Sequence, residues 1–361
     1  MAIVKFGDIV RDVKINVDRA NNPYEHYVAG DHMDSEDLII HRYGNFETDD
    51  VGPAFTRIFK PGQILYGSRR TYLKKVAVAD FEGICANTTF VLESKDYSLF
   101  DNRLLPFIML SDAFTRWSIA HSKGSTNPYV LFSDLADYEF DLPPIAEQKV
   151  LADKLWAAYR LKESYKKLLT ATEEMVKSQF IEMFKEAPRI ELGKMASFIN
   201  GSAFKPEEWS SDGLPIVRIQ NLTQDDSPYN YYDGDTTKKI VIDNGDMLVS
   251  WSATLGVFLW SKGKALLNQH IFKVSFDKLD VNKDFFVYAV KLALDKMSEV
   301  AHGSTMRHVV KKDFNEMIVA NPSINGQESF ALIAKQADKS GFELRKSIEA
   351  IDQVIKSLIN N

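Results

Sequence analysis

The sequence predicts an α+β protein in which two mixed α/β domains are separated by a pair of long antiparallel helices, a coiled-coil spacer. Three observations support this fold class: motifs that recur at one fixed offset, two long stretches of helical periodicity, and short strand-like runs before each stretch. Together they indicate a pseudo-two-fold internal repeat. The predicted boundaries are 1–143 and 188–322 for the domains, and 144–187 and 323–361 for the helices.

The repeat is visible as motifs that lie 179 residues apart. Gly-Ser-Thr at 124–126 recurs at 303–305, and Gln148 has its counterpart in Gln327. A constant offset over several landmarks is typical of a duplicated unit. Two similar units in one chain suggest a ligand that itself has two parts.

Each domain carries local signals of mixed structure. In the first domain, apolar or alternating runs predict strands at 63–66, 75–78 and 88–92. Helical spacing over 104–121 predicts a helix packed on those strands. The second domain repeats this order, and its packed helix is predicted over 285–297.

The two long helices are predicted from the spacing of their apolar residues. Prolines at the start of the first helix are tolerated in a first helical turn, and Pro188 follows its end. About forty residues at 1.5 Å per residue form a rod of roughly 60 Å. The second helix steps by three and four residues without a break, which is the heptad pattern of a coiled coil. We therefore expect the two helices to pair with each other.

Composition narrows the class of protein. A single cysteine, Cys85, excludes an internal disulfide and a multi-cysteine zinc site, and it suggests a reducing cytoplasm. No run of 18 apolar residues predicts a membrane helix, and the first residues do not resemble a secretory signal. The net charge of −6 means that a nucleic-acid binder would need a local basic face.

Motifs for intrinsic catalysis are missing from the sequence. Asn127-Pro128-Tyr129 has one proline where an adenine methyltransferase motif needs two, and neither Gly-Lys pair, at 193–194 or 263–264, continues into Ser or Thr as a phosphate loop requires. The histidines show no metal-ligand spacing. A nuclease site of scattered carboxylates and a lysine has no fixed motif and stays open as an alternative, but nothing in the sequence requires one. We therefore predict a non-catalytic chain that binds no metal.

Three motifs carry a family resemblance. They are Leu-Pro-Pro-Ile-Ala-Glu-Gln at 142–148, Gly-Leu-Pro-Ile-Val-Arg-Ile-Gln-Asn at 213–221, and Asn268-Gln269. In this order, and over essentially the whole chain, they resemble the specificity subunit of type I restriction-modification systems. The chain departs from that pattern in its second linker, Asn-Pro-Ser-Ile-Asn-Gly-Gln-Glu at 321–328, and in the first domain, which lacks the Gly-x-Pro-x-x-Arg stretch.

The resemblance implies two target-recognition domains that each read one half of a split site in double-stranded DNA. It also implies that the helices dock two adenine-N6 methyltransferase subunits, which recruit the restriction and translocase subunits. S-adenosylmethionine, ATP and magnesium would be bound by those partner subunits, and this chain would bind no cofactor. The alternative is a coiled-coil adaptor or assembly protein whose repeats do not touch DNA.

Candidate DNA contacts in the first domain share basic, hydroxyl or aromatic character and lie in two segments, one after a predicted strand and one at the Gly-Ser-Thr turn: Ser68, Arg69, Arg70, Tyr72, Lys74, Lys123, Ser125, Thr126 and Asn127. Such groups reach phosphates and base edges. The alternatives are a solvated hairpin tip for the first segment and a helix cap and turn for the second.

Candidates in the second domain are mainly amides, hydroxyls and an indole, with basic groups near the end: Arg218, Gln220, Asn221, Ser250, Trp251, Ser252, Asn268, Gln269, Ser304, Thr305, Arg307, His308 and Lys311. Polar and apolar residues alternate around Arg218, which predicts a half-buried strand. Alternatively, the polar side chains belong to the surface of a sheet and form their hydrogen bonds within the chain. Trp251 is equally consistent with a core position. Because the basic loop of the first domain has no counterpart here, we expect the two half-sites to be read by different chemistry.

Overall fold

Two units make up the computed structural model, which describes residues 2–18, 21–224, 226–252, 254–301 and 311–360, without the side chains of 298–301. The first unit is Met1–Lys166 with Arg345–Asn361, and the second is Lys167–Leu344. The division falls inside the long helices, so each unit contains one domain and a part of both helices.

The first unit and the helix that leaves it contain the following strands and helices: β1 (Ala2–Lys5), α1 (Phe6–Ile9), β2 (Val10–Asp12), β3 (His26–Val28), β4 (Gly44–Asn45), β5 (Phe55–Phe59), β6 (Ile64–Gly67), β7 (Val76–Val78), β8 (Gly83–Ala86), β9 (Thr89–Ser94), α2 (Leu105–Leu110), α3 (Asp112–Ala120), α4 (Phe132–Ala136), β10 (Glu139–Leu142) and α5 (Ile145–Phe184). Strands β6, β7 and β9 confirm the three strand predictions.

The second part of the chain contains β11 (Arg189–Glu191), α6 (Leu192–Met195), β12 (Ser197–Asn200), β13 (Leu214–Val217), α7 (Ile219–Thr223), β14 (Asn230–Tyr232), β15 (Val241–Ile242), β16 (Met247–Ser250), β17 (Gly256–Leu259), β18 (Ala265–Leu267), β19 (Ile271–Ser275), α8 (Lys283–Ala301), α9 (Lys311–Asn315), β20 (Ile318–Ala320) and α10 (Ile324–Asn360). The predicted packed helix lies within α8, as expected.

Sheet topology confirms the internal repeat. In the first unit, one sheet has the order β2-β9-β6-β7 and another the order β4-β3-β8-β5; in the second, the orders are β12-β19-β16-β17 and β14-β13-β18-β15. The pairs β3–β8 and β13–β18 are both parallel, whereas the neighbouring pairs are antiparallel. Each unit also closes a two-stranded sheet, β1–β10 or β11–β20.

The prediction of one helix over 104–121 is wrong in one respect: α2 and α3 are separate helices. The chain breaks at Ser111, whose backbone is extended and whose hydroxyl accepts the N–H of Phe114 at 3.2 Å. Serine competes with the helix for backbone hydrogen bonds and is a preferred N-cap. Apolar spacing does not reveal the break, because Leu110 and Phe114 on either side face the same core.

The long helices α5 and α10 begin and end within a few residues of the predicted ranges 144–187 and 323–361. In the first unit Lys162 of α5 pairs with Asp352 of α10 at 2.8 Å, while Leu151 of α5 lines the same cavity as Leu358 of α10. Residues earlier in α5 therefore lie beside residues later in α10, so the helices run antiparallel in this unit.

The second unit shows the same direction of pairing. The rings of Phe180 and Phe330 lie 5.0 Å apart, and Phe184 lies next to Gly326, which comes earlier in α10. The core of this unit includes both rings together with Phe285 and α8. Burying a large apolar side chain stabilises a fold by roughly 1.5–3 kcal/mol, so this aromatic cluster fixes the domain on the helix pair.

Two buried glutamines at corresponding positions secure the start of each long helix. Gln148 and Gln327 each donate to the carbonyl oxygen of the proline five residues earlier, at 2.8 Å and 3.0 Å. Their amide oxygens accept the backbone N–H of Asp101 at 2.9 Å and of Asn282 at 3.0 Å. The motif that marked the repeat in the sequence is therefore a repeated hydrogen-bond junction between domain and helix.

Over the described part of the chain, no helix combines the length and low polarity that crossing a lipid bilayer requires.

Candidate nucleic-acid interface

The two candidate segments of the first unit lie side by side. The backbone N–H of Arg70 donates to the carbonyl of Pro128 at 2.7 Å, and the N–H of Val130 donates to the carbonyl of Ser68 at 2.9 Å. Arg69 and Tyr129 form an antiparallel bridge between these bonds. A pairing across some sixty residues of sequence thus joins the basic segment to the Gly-Ser-Thr turn.

We call the resulting exposed region the first basic surface; it consists of Arg69, Arg70, Tyr72, Lys123, Ser125, Thr126, Asn127 and Tyr129, all exposed to solvent. The Nε of Arg70 donates to Asn127 at 3.3 Å. Among the described residues, no carboxylate forms an ion pair with Arg69 or Arg70. Tyr129 is not among the sequence-predicted contacts, because the predicted segment ends at Asn127 and only the pairing with Arg69 brings this ring to the surface.

The basic loop has an unusual backbone. Arg70 and Lys74 have φ values of 50° and 48°, in the left-handed region, on either side of a 3₁₀ turn at Thr71–Leu73. Side chains with a Cβ rarely adopt this region, which costs roughly 1–2 kcal/mol for each residue. Backbone strain of this kind is concentrated at functional sites. The loop geometry therefore favours a functional role over a plain hairpin tip.

Two candidates of the basic segment support the loop from inside. Ser68 is only 5% exposed, and its hydroxyl donates to the carbonyl of Thr88 at 2.6 Å. The ammonium group of Lys74 lies 3.1 Å from Glu36 and 3.4 Å from Asp112, with most of its side chain buried. Their prediction as surface contacts is corrected, because their polar atoms are already bonded within the chain.

The Gly-Ser-Thr turn is the tip of a short hairpin. Lys123 and Tyr129 exchange backbone hydrogen bonds of 2.7 Å and 2.9 Å, and Gly124 has a φ of 87°, which only glycine adopts easily. Helix α3 has already ended at Ala120, so the segment is a turn, as in the alternative interpretation, but it does not cap the helix. Lys123 also pairs with Asp134 at 3.0 Å, so part of its charge is offset.

In the second unit, three candidate segments converge at the ends of neighbouring strands. The backbone N–H of Asn268 donates to the carbonyl of Val217 at 3.1 Å, and the N–H of Trp251 donates to that of His270 at 3.4 Å. Gly201, the residue after β12, packs closely against the same loop. A Cβ at this position would lie 2.1 Å from the carbonyl oxygen of Asn268. Close backbone approach therefore fixes this junction.

The strand predicted around Arg218 is wrong beyond Val217, where β13 ends and α7 begins at Ile219. The amide of Asn221 accepts the N–H of Arg218 at 3.0 Å and donates to the carbonyls of Ser227 and Pro228. Asn221 is only 3% exposed. Its amide caps the helix and braces the following loop, so it is not presented to a ligand.

Ser250, Trp251 and Ser252 mostly belong to the interior. Ser250 is fully buried and donates to the carbonyl of Thr254 at 2.5 Å, and Ser252 is 6% exposed. The indole of Trp251 stacks on Phe272 with ring centroids 5.7 Å apart, against the core of the unit. The core alternative for Trp251 thus agrees with the structure.

The remaining candidates of the second unit have different settings. Asn268 is half-buried, whereas Gln220, Gln269 and Lys311 are exposed. Four others lie outside the described residues: Ser304, Thr305, Arg307 and His308.

Arg218 has neighbours that the sequence did not suggest. Its guanidinium carbon lies 5.2 Å from the ring centroid of Trp209, and its Nη2 donates to the side-chain oxygen of Asn230. Trp209 is 40% exposed. Trp209 and Asn230 belong to other segments of the chain, and no local sequence motif links either of them to Arg218.

A cluster of potential metal ligands also lies in the first unit. Asp37, His41 and Glu163 bring their ligand atoms within 4.8 Å of one another. The ammonium of Lys166 is bonded to Asp37 at 3.3 Å and to Glu163 at 2.8 Å, and the hydroxyl of Tyr159 donates to Asp37 at 2.6 Å. Because the lysine offsets the negative charge, we interpret the cluster as a salt-bridge network that ties the domain to α5.

The repeated sheet topology and the two long helices define a class of duplicated α/β proteins built on a long helix pair. The family model described as the type I restriction modification DNA specificity domain matches the chain twice, at residues 22–173 and 186–353, and the chain belongs to this family. The two matches coincide with the two repeats.

Curated relatives share parts of the chain. It is 25% identical over 174 residues to the type I restriction enzyme EcoBI specificity subunit of Escherichia coli, covering 46% of this chain and 36% of that protein. The EcoDI specificity subunit of the same organism is 29% identical over 148 residues, covering 41% and 32%. The putative MjaX specificity subunit of Methanocaldococcus jannaschii is 23% identical over 250 residues, covering 63% and 59%. The matches thus span about a third of the two E. coli proteins.

Solved structures share the fold over nearly the whole chain. The S subunit of the type I restriction-modification system from M. genitalium is 14% identical, with a TM-score of 0.58, covering 99% of this chain and 94% of that one. A chain from work on complex assembly and conformational transition of the type I R-M system is 17% identical, with a TM-score of 0.56, covering 99% and 96%. At these identities the likeness concerns the fold alone.

Proposed function

We propose that the chain is the DNA-sequence-reading subunit of a type I restriction-modification complex and recognises a bipartite target in double-stranded DNA. One observation carries the proposal: a single α/β topology is built twice, and each copy places polar or basic side chains at strand ends, although not at the same strands. Family membership supports the same conclusion. In this role the chain binds and positions DNA, and it catalyses no step itself.

The first basic surface has the chemistry that a half-site requires. Arginine forks bond the O6 and N7 atoms of guanine or two phosphate oxygens, so Arg69 and Arg70 suit either partner. Lys123 and the Ser125 and Thr126 hydroxyls suit phosphates, which supply affinity without sequence information. The exposed ring of Tyr129 offers an apolar face for sugars or base edges.

The long helices suit the roles of spacer and docking platform. Helix α5 has 40 residues, which corresponds to roughly 60 Å, and one turn of DNA spans about 34–36 Å. Leu168 and Met175, seven residues apart on α5, are each 52% exposed. Large apolar groups at heptad spacing on an exposed helix support docking of a partner.

We assign the docking platform to two adenine-N6 methyltransferase subunits, through which restriction and translocase subunits join. S-adenosylmethionine, ATP and magnesium are assigned to those partners, and the cytoplasm is the compartment in which all of them meet.

The test is selection from a random duplex library by the full chain, alone and with its methyltransferase partner, followed by sequencing of the bound fraction. We expect enrichment of one split sequence and an affinity that falls steeply as salt rises, because phosphate contacts release counterions. If no split sequence is enriched in either condition while the methyltransferase still binds, the chain is an adaptor and the proposal is wrong.

A further inference from the structure

Arg218 is held rigidly at its backbone. It follows the last residue of β13, and its N–H is bonded to the side chain of Asn221, which is itself buried and bonded to two carbonyls. The strand is central in its sheet, between β14 and β18. The starting point of this long side chain is therefore fixed by both sheet and cap.

The guanidinium group is also held at its far end. It lies over the ring of Trp209 at 5.2 Å from the centroid, and its Nη2 donates to Asn230. Stacking on an aromatic face leaves the N–H groups in the guanidinium plane available for hydrogen bonds at the edge. Two neighbours thus orient the fork without using all of its donors.

In the part of the chain that the structure describes, the charge of Arg218 has no carboxylate partner. No described carboxylate forms an ion pair with it, and its Nε is buried with no hydrogen-bond acceptor among the described residues. Arg57 of the first unit shows the contrast, because that buried arginine bonds Asp12 at 3.0 Å. A buried donor without an acceptor costs free energy, and an oriented, uncompensated fork is prepared for an external acceptor.

We propose that Arg218 reads a guanine in the second half-site, and that Trp209 is the positioning residue that aims it. The inference rests on the proposed function. One N–H from each terminal nitrogen would bond the O6 and N7 atoms of guanine, which is the commonest base-specific contact of arginine. The Asn230 bond uses only one of the two Nη2 protons, so both terminal nitrogens remain available.

The experiment measures base preference at every position of the selected target, using the full chain with its methyltransferase partner. We expect Arg218→Ala to lower the preference for guanine at one position of the second half-site by roughly 10- to 100-fold. Arg218→Lys should keep part of the affinity but lose that preference, because a lysine has no planar fork. Preferences in the first half-site should stay unchanged for both variants.

Trp209 variants test positioning. Trp209→Ala should relax the same guanine position by a smaller factor, and Trp209→Phe should restore most of the preference because the aromatic face is retained. Arg116→Ala, an exposed arginine of the first unit, controls for the loss of one positive charge. A uniform loss of affinity at all positions with Trp209→Ala would make its role structural and overturn the positioning assignment.

Different results would contradict the proposed function and the reading of guanine by Arg218. If the wild-type chain selects no split sequence, the proposed function is wrong. If the wild type selects one and Arg218→Ala selects the same sequence with the same preferences, only the reading of guanine by Arg218 is overturned.

Discussion

The two units share a backbone plan and differ in the surfaces built on it. After β6 of the first unit, Arg69 and Arg70 stand exposed on a strained loop; at the end of β16 in the second, Ser250 and Ser252 are buried. Strand order is the same in both, and each unit has a buried glutamine junction. The difference teaches that the core and backbone bonds specify topology, while the loops at strand ends are free to vary.

The position of the exposed or oriented arginine also changes between the units. In the second unit Arg218 follows β13, whereas the residue that follows the equivalent strand, β3, is Ala29. The loop after β6 supplies the arginines in the first unit instead. The two units therefore place their arginines after strands that are not equivalent in the shared topology.

The largest expected effect concerns the first basic surface alone. Replacing both Arg69 and Arg70 with alanine should weaken binding to the first half-site by about 100-fold, because each arginine contact contributes roughly 1–3 kcal/mol. Titration with duplexes that vary one half-site at a time measures this effect. Preferences in the second half-site should remain.

A double variant with the same charge change serves as its control. The exposed residues Lys5 and Arg11 of the first unit form ion pairs with Asp137 and Glu93, and their joint replacement with alanine should leave base preference unchanged. If both double variants weaken binding equally, overall charge and not the first basic surface would explain the loss.

A stability effect should instead be shared by both units. Gln148→Ala and Gln327→Ala should each lower the free energy of unfolding by roughly 2–3 kcal/mol, because backbone groups lose their partners in a buried junction. Gln148 makes one hydrogen bond more than Gln327, to the carbonyl of Leu99 at 3.0 Å, so its loss should cost more. Urea unfolding measures both, with exposed Gln269→Ala as a near-neutral control. If Gln148→Ala leaves the free energy of unfolding unchanged, the hydrogen bonds of this junction do not stabilise the fold.

A smaller, pH-dependent effect should distinguish the units again. Burial would raise the pKa of Asp37, but hydrogen bonds from Tyr159 and the Ile39 N–H, with the charges of Lys166 and His41, outweigh it and lower the pKa below 3.8. A carboxyl whose pKa is lowered by folding stabilises the fold at neutral pH, and that contribution is lost as pH falls from about 4 through its folded pKa.

Asp37→Asn should therefore cost about 1–2 kcal/mol at pH 7 and make unfolding of the first unit less sensitive to acid. Thermal unfolding between pH 3 and pH 7 measures the change. Asp338→Asn is the matched control, since Asp338 bonds Tyr288 in the second unit at 3.2 Å through a more exposed contact. If wild type and Asp37→Asn lose stability equally as pH falls, the Asp37 carboxyl does not cause the acid sensitivity of the first unit.

Local pattern was sufficient for much of the fold. The spans of α5 and α10, strands β6, β7 and β9, and the duplicated order all follow from periodicity and repeated motifs, because each depends on residues near one another in the chain. The motif at Gln148 and Gln327 likewise marked a repeated junction, although its hydrogen bonds could not be read from spacing.

The candidate sites were predictable by segment but not by side chain. Polar residues near a strand end can face outward or turn inward, and sequence pattern does not distinguish Arg69 from Ser68 or Gln220 from Asn221. Whether such a side chain is exposed or buried depends on the hydrogen-bond partners near it in the fold, such as the carbonyl of Thr88 for Ser68. These contacts join residues far apart in sequence.

By itself, the sequence determined the repeat, the helix pair and the kinds of side chain available at each strand end, since these follow from local propensity and order along the chain. Only the tertiary structure decided which of those side chains are exposed, how Arg70 meets Asn127, and that Trp209 lies beneath Arg218. The physical reason is that burial and hydrogen bonding depend on contacts between segments far apart in sequence. The local periodicity of apolar residues contains no information about those contacts.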